Sequence, residues 1–215
     1  MAKHSKWSDE YWLLLMQVYM KKPTGLKPKY SRQMVALSME LHIQPEELYR
    51  RMEQLDKLSS PHAERLWEKY AFNPKKLQRA VSLLRSMYGF NNAEQFYEGV
   101  EVNETFEKDF KPLEENENLT PVMLILILDL YFRLTPITMV ADTPEVVELA
   151  RLMKIKAATV EEILELYQHC DPYLNREDMV ISPMMLPCQK IWNRYGNGNT
   201  ESLASFADEL KEYFR

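Results

Sequence analysis

A chain of 215 residues, 46% hydrophobic and 27% charged, has the make-up of an ordinary globular protein with room for two small domains. Two cysteines, Cys170 and Cys188, exclude a disulfide framework, and five glycines are too few for an architecture of many tight β-turns. The net charge of −5 hides a split. Residues 1–88 hold 16 Lys and Arg against 9 Asp and Glu, net +7, and residues 89–215 hold 11 against 23, net −12.

The chain opens MAKHSKWSDEYW, with no apolar stretch ahead of a small-residue cleavage site. A cytoplasmic protein with reduced thiols is expected. Ser8 followed by Asp9 and Glu10 predicts a helix start, and Lys22-Pro23-Thr24-Gly25 predicts its end near residue 21. A basic loop follows. Ser31 is placed to cap a second helix to about Leu41, and after a bend at His42-Ile43-Gln44 a third begins at Pro45. Its apolar positions Leu48, Met52 and Leu55 have helical spacing.

Six later pairs join a capping residue to a proline: Ser60-Pro61, Asn73-Pro74, Thr120-Pro121, Thr143-Pro144, Asp171-Pro172 and Ser182-Pro183. Proline loses no hydrogen bond at the first helical position, and it pushes the residue before it out of helix, as a cap requires. The pattern predicts an all-α fold, with later helices at 61–70, 74–88, 121–134, 144–153, 160–169, 183–195 and 200–214. Thr159 with Glu162 reads as a capping box, and Pro187 either kinks its helix or delays the start. A short extra turn is expected within 172–181. The apolar run from Val122 to Phe132 rises roughly 16 Å, too little to span a bilayer core of roughly 30 Å. Helices 9–21 and 121–134 are therefore expected to be central, and no membrane partner is expected. Residues 89–120 carry nine acids and two lysines, with Phe90, Phe96, Tyr97, Phe106 and Phe110 among them. Disordered segments are poor in aromatics, so a strap anchored across the helices is expected.

The chain also repeats itself. VALSMELHI at 35–43 matches VELARLMKI at 147–155, an offset of 112 that also carries Tyr19 onto Tyr131 and Met52 onto Leu164. An offset of 125 carries Trp67 onto Trp192, Tyr70 onto Tyr195 and Tyr88 onto Tyr213, so one insertion of 13 residues separates the two registers. A tandem duplication of a five-helix unit is expected: repeat 1 over 1–88, the acidic strap over 89–120, and repeat 2 over 121–215.

LSMELHIQPEELYRRM, residues 37–52, resembles the helix-turn-helix segment of bacterial transcription regulators. Ser38 matches the small residue that lets the second helix pack close. Leu41 and Ile43 match the apolar residues around the turn, and Leu48 and Met52 the inward side of the recognition helix. The second copy matches through Leu149, Ala150, Met153, Ile155, Val160 and Leu164. His42 and Lys154 depart from the glycine that this family prefers in the turn, and Glu161, Glu162 and Glu165 on the second recognition helix would repel phosphate. Taken whole, the chain also resembles a functionally uncharacterised bacterial all-helical family, which implies no activity.

The resemblance and the basic loop together nominate Lys27, Lys29, Arg32, Gln44, Arg50 and Arg51 for contact with nucleic acid. The alternative is two ordinary packed helices beside a solvated loop. No HExxH or CxxC pattern is present. His169-Cys170-Asp171 are adjacent on a helix and so point apart, and Tyr195-Gly-Asn-Gly-Asn199 lacks the GK[ST] of a phosphate loop. No catalytic, cofactor or metal site is expected. The leading expectation is a non-enzymatic helical protein that binds a protein partner. The second is a DNA-binding regulator using residues 35–55.

Overall fold

The computed structural model describes residues 7–87, 106–174, 176 and 181–215. The described residues are all-α, without a strand, and the chain divides into two compact units, Met1–Asn103 and Glu104–Arg215. No helix among them is long and apolar enough to cross a membrane.

Among the described residues the first unit has five helices: α1 (Tyr11–Met20), α2 (Arg32–Leu41), α3 (Pro45–Asp56), α4 (Pro61–Tyr70) and α5 (Pro74–Ser86). α1 is the hub and touches each of the other four. Its Leu14, Leu15 and Met16 are wholly buried, beside Met34 of α2 and Leu48, Met52 and Leu55 of α3. The proline-marked starts act as predicted. The Ser60 hydroxyl accepts from the Ala63 amide at 3.1 Å, and the Asn73 side chain accepts from the Lys76 amide at 3.1 Å. Each closes one of the amides that a helix start leaves open. Two starts differ from prediction. Asp9 and Glu10 lie in a turn, so α1 begins only at Tyr11, and Ser31 makes no side-chain cap.

The second unit has α6 (Pro121–Arg133), α7 (Pro144–Met153), α8 (Ala157–Cys170), α9 (Met185–Ile191) and α10 (Thr200–Lys211). α6 is buried on nearly every side, from Leu124 through Tyr131, and touches the other four. That follows from its composition, since a helix apolar all round can only be stable inside. Part of the expected strap packs within this unit. Phe106–Phe110 form a 3-10 turn, and buried Phe110 meets Tyr213 edge-on at 5.0 Å between ring centres. Asp109 takes both guanidinium nitrogens of Arg194, at 2.7 and 2.8 Å. Tyr88, Phe90, Phe96 and Tyr97, expected in the repeat or the strap, lie outside the described residues.

Two boundaries here correct the sequence reading. α8 begins at Ala157, so Thr159 is already helical and there is no Thr159–Glu162 capping box. α9 begins at Met185 rather than Pro183; the Ser182 hydroxyl accepts from the Met184 amide at 3.2 Å, and Pro187 sits in the first turn, where proline costs no hydrogen bond. Asp171-Pro172, although a cap–proline pair, opens only the short turn expected within 172–181, with the Asp171 carboxylate accepting from the Tyr173 amide at 2.9 Å. Beyond α9 the backbone widens into a π-turn, Trp192–Gly196. A Cβ on Gly196 would lie 2.6 Å from the Trp192 ring, so the indole excludes any side chain there.

Several kinds of interaction recur in the two units. The Tyr19 hydroxyl donates to Asp56 at 2.7 Å and its ring meets Trp67 at 5.8 Å and 77°. The Tyr131 hydroxyl donates to Asp171 at 2.7 Å and its ring meets Trp192 at 5.7 Å and 77°. His42 and Lys154 both take the left-handed conformation, with φ of 52° and 60°. The next amides, Ile43 and Ile155, close back onto the carbonyls of Ser38 and Ala150 at 3.1 and 3.0 Å. This is a Schellman closure, and it satisfies carbonyls that the helix end leaves open.

The tyrosine hydroxyls donate to carboxylates, so Tyr19→Phe and Tyr131→Phe are each expected to cost about 1.5–3 kcal/mol, read by urea denaturation. Lys154 is exposed and holds its left-handed conformation without glycine's freedom. Lys154→Gly should therefore raise stability by about 1 kcal/mol in the same measurement.

Candidate functional site

The helix-turn-helix-like segment is built from α2, the three residues 42–44 and α3, with the two helices in contact. Ser38 is wholly buried, and its hydroxyl has no hydrogen-bond partner. A buried hydroxyl in that position is tolerated because the side chain is small enough for helices to approach. Leu41, Ile43, Leu48 and Met52 are all buried. The αL closure at His42 sets the angle between the helices.

The nominated basic residues do not form one surface. Lys27 is buried at 6% exposure, and its ammonium is turned inward, donating to the Lys21 carbonyl at 2.7 Å and to the Pro23 carbonyl. Burial first, and the Lys21 charge second, push its pKa below the ordinary lysine value. Lys27 is thus a brace for the 21–30 loop and not a surface cation. A charge-and-loop reading could not see this, because nothing in sequence says which lysine of a loop folds back onto its carbonyls. Lys29 is partly exposed, with its ammonium 5.6 Å from the Tyr30 ring centre. Arg32 opens α2 and is exposed. Gln44 is exposed at the residue preceding α3. Arg50 and Arg51 share one acid: Arg50 reaches Glu47 at 3.1 Å and Arg51 reaches it at 3.0 Å. Arg51 also lies over the Trp7 ring at 5.0 Å. On the same helix Glu46 accepts from the Tyr30 hydroxyl. The exposed side of α3 therefore carries two carboxylates in its first turn, where a phosphate would have to approach.

The residues with latent chemistry are tied into packing. Cys188 is buried and Cys170 half-buried, and burial raises the Cys170 thiol to about 11 and pushes Cys188 up as well. Both are thiols at neutral pH, not the thiolates that nucleophilic attack needs. Asp171, next to Cys170, is occupied by the Tyr131 hydroxyl and the Tyr173 amide. Among the described residues no three His, Cys, Asp or Glu side chains are grouped to hold a metal ion.

A groove of about 500 Å³ runs between α6, α7 and α10. Arg133, Arg151, Lys211 and Arg215 line it together with Glu145, Glu148 and Asp208. Lys211 reaches Asp208 at 2.6 Å, and this hydrogen bond is the main reason that the Asp208 carboxyl sits below the usual range. Beside the groove Asp129 is 4% exposed and pairs with Arg133 at 2.8 Å. Its pKa is raised, chiefly by burial, although Arg133 and Lys211 pull the other way. Cations and acids alternate, which leaves a ligand a formal net of only one positive charge.

The sequence reading passed over a different surface, the outward face of α4 and α5. From Lys69 to Met87 there are five cations and no acid. Phe72 is 90% exposed, Leu83 67% and Met87 54%. The signal was legible. With Leu77, Val81 and Leu84 marking the core side of α5, helical geometry turns residues 83 and 87 away from it. Other large apolar side chains stand out in the second unit: Ile137 at 89%, Tyr173 at 92% and Ile181 at 92%. No protein-family model, curated protein or solved structure matches the chain.

The raised Asp129 pKa makes a signed claim. The contribution of this group to stability is fully present below the ordinary carboxylate pKa and is lost as pH rises through the raised folded value. At pH 7 the buried charge is a cost. Asp129→Asn keeps an oxygen for Arg133, and it should melt higher than the wild type at pH 7. The difference should close as pH falls toward 4, and calorimetry at the two pH values checks it.

Proposed function

We propose that the protein is a non-enzymatic helical binding protein that acts on a protein partner through exposed apolar side chains. The observation that supports this reading is that Phe72, Ile137, Tyr173 and Ile181 stand almost fully in solvent, at 89–92% exposure. Burying one such side chain is worth roughly 1.5–3 kcal/mol, so a partner that covers several gains substantially. Tyr173 and Ile181 lie in the connection between α8 and α9, within the longer spacing that distinguishes the second half of the repeat. We read the shared helix order, the paired Tyr–Asp–Trp contacts and the two left-handed turns as a tandem duplication whose second copy gained this connection. Two free thiols are in keeping with a reducing cytoplasm.

A DNA-binding regulator using residues 35–55 is the second reading. The close α2–α3 approach over Ser38 favours it. The burial of Lys27 and the capture of Arg50 and Arg51 by Glu47 weigh against it.

The test places a photo-crosslinking amino acid at Phe72, Tyr173 or Ile181 in cells, with exposed Glu201 as the control position. A discrete protein adduct is expected at one or more of the three and not at Glu201. Adducts indistinguishable from the control would remove the reading. In parallel, anisotropy of labelled duplex DNA with the full chain should show no salt-sensitive binding. Binding that weakens steeply with salt, and that Arg50→Ala diminishes, would favour the second reading instead.

A further inference from the structure

We propose that the outward face of α5 binds an acidic amphipathic helical segment of the partner. This rests on the protein-binding reading above and adds the surface and the chemistry of what it takes. α5 carries Lys75, Lys76, Arg79 and Arg85 with no acid of its own. Among the described residues only Arg85 is neutralised, held by both carboxylate oxygens of Glu40 at 2.7 and 2.8 Å. Lys76 sits 5.7 Å from the Tyr70 ring centre, and no carboxylate among the described residues pairs with Lys75 or Arg79. Lys75 and Lys76 stand in the first turn, where the helix dipole disfavours cations. They do not help α5 to form, and they concentrate positive potential at its N-terminal end.

The same face changes character along its length. Lys76, Arg79 and Leu83 are spaced i, i+3 and i+7, which puts them on one stripe of the helix, and exposed Met87 follows just past its end. Lys75, Gln78 and Arg79 line a shallow concavity of about 560 Å³ with Pro74. The N-terminal half of the stripe is therefore cationic, with Arg79 at the edge of that concavity, and the C-terminal half is apolar and exposed. Phe72 projects into solvent just ahead of the helix. The matching ligand is a helix with carboxylates on one turn and aliphatic or aromatic side chains one to two turns further along the same face.

Nucleic acid fits less well. Residues 75–79 rise only about 6 Å along the helix, whereas a nucleic-acid binder typically spreads its cations over several phosphates. Leu83 and Met87 offer phosphate nothing, while they reward an apolar side chain.

The experiment uses the full chain and a fluorescent helix-forming peptide of about 16 residues, with Glu on one turn and Leu and Phe further along the same face. A peptide of identical composition with its apolar residues scattered round the helix is the control, and labelled oligothymidine is a second probe. Saturable binding of the patterned peptide is expected, weakened about 10-fold by Arg79→Glu and by the pair Leu83→Ser and Met87→Ser. Lys57→Glu, an exposed charge reversal in the turn after α3, should leave it unchanged. Circular dichroism checks the folding of each variant. If the apolar pair disturbs it, Arg79→Glu decides, because Arg79 is exposed and outside the core. No binding of the patterned peptide overturns the proposal. So does equal binding of the scattered control, or oligothymidine that binds more tightly and competes. Crosslinks to a protein from Tyr173 or Ile181 alongside an inert α5 would sink this surface and leave the binding-protein reading standing.

Discussion

Each unit depends on one arrangement: a central helix with a tyrosine in its last turn, lying edge-on to a tryptophan ring, with its hydroxyl held by a carboxylate. α1 and α6 are apolar over most of their circumference, so each has to be enclosed by four other helices. Dispersion and burial drive the enclosure, but they are not directional. The tyrosine hydroxyl is. Burial first, and hydrogen bonding to Asp56 second, raise the pKa of Tyr19 to about 12. The proton therefore stays on the phenol and points at the carboxylate. That one bond ties the end of the central helix to the end of the third helix in the first unit. In the second unit the same bond ties α6 to the residue that ends α8.

The turns between the second and third helices add a second constraint. A side chain with a Cβ in the left-handed region costs roughly 1–2 kcal/mol. His42 and Lys154 both accept that cost, and both are followed by an amide that closes onto a carbonyl five residues back. The closure sets the angle at which the third helix leaves, and with it the inward positions Leu48 and Met52, or Val160 and Leu164. The geometry that resembles a DNA-reading motif is thus also what a compact helical core requires. The outward side chains decide what such a motif is for. On α3 they are Glu46, engaged by Tyr30, and Glu47, engaged by two arginines.

Charge in this chain is used locally. The +7 of the first 88 residues invites the idea of a single basic surface. In the structure one lysine braces a loop from inside, Arg50 and Arg51 neutralise one glutamate, and Arg85 is clamped by Glu40. Lys75 and Arg79 of α5 escape this pairing, on a helix that also exposes Leu83 and Met87. The groove of the second unit shows the opposite outcome, four cations interleaved with three acids, which leaves a ligand a formal net of only one positive charge.

Much of the architecture was legible in the residues themselves. Ser60-Pro61, Asn73-Pro74 and Thr120-Pro121 begin helices where a cap followed by proline must, because φ and the missing amide are local properties that packing does not alter. The uninterrupted apolar run at 122–128 determined that α6 is central. Local rules failed where a competing contact decided the outcome. Thr143 gives its hydroxyl to the Thr138 carbonyl instead of capping α7, and Asp171 is drawn to Tyr131 and a turn rather than to a new helix. The fate of individual charges was not legible either. Lys27 and Lys29 look alike in sequence, two positions apart in the same loop. Only the tertiary fold, by bringing the carbonyls of residues 21 and 23 around one ammonium, placed Lys27 inside and left Lys29 partly exposed. An ion's partner depends on long-range geometry, whereas a helix start depends on a few neighbouring dihedral angles.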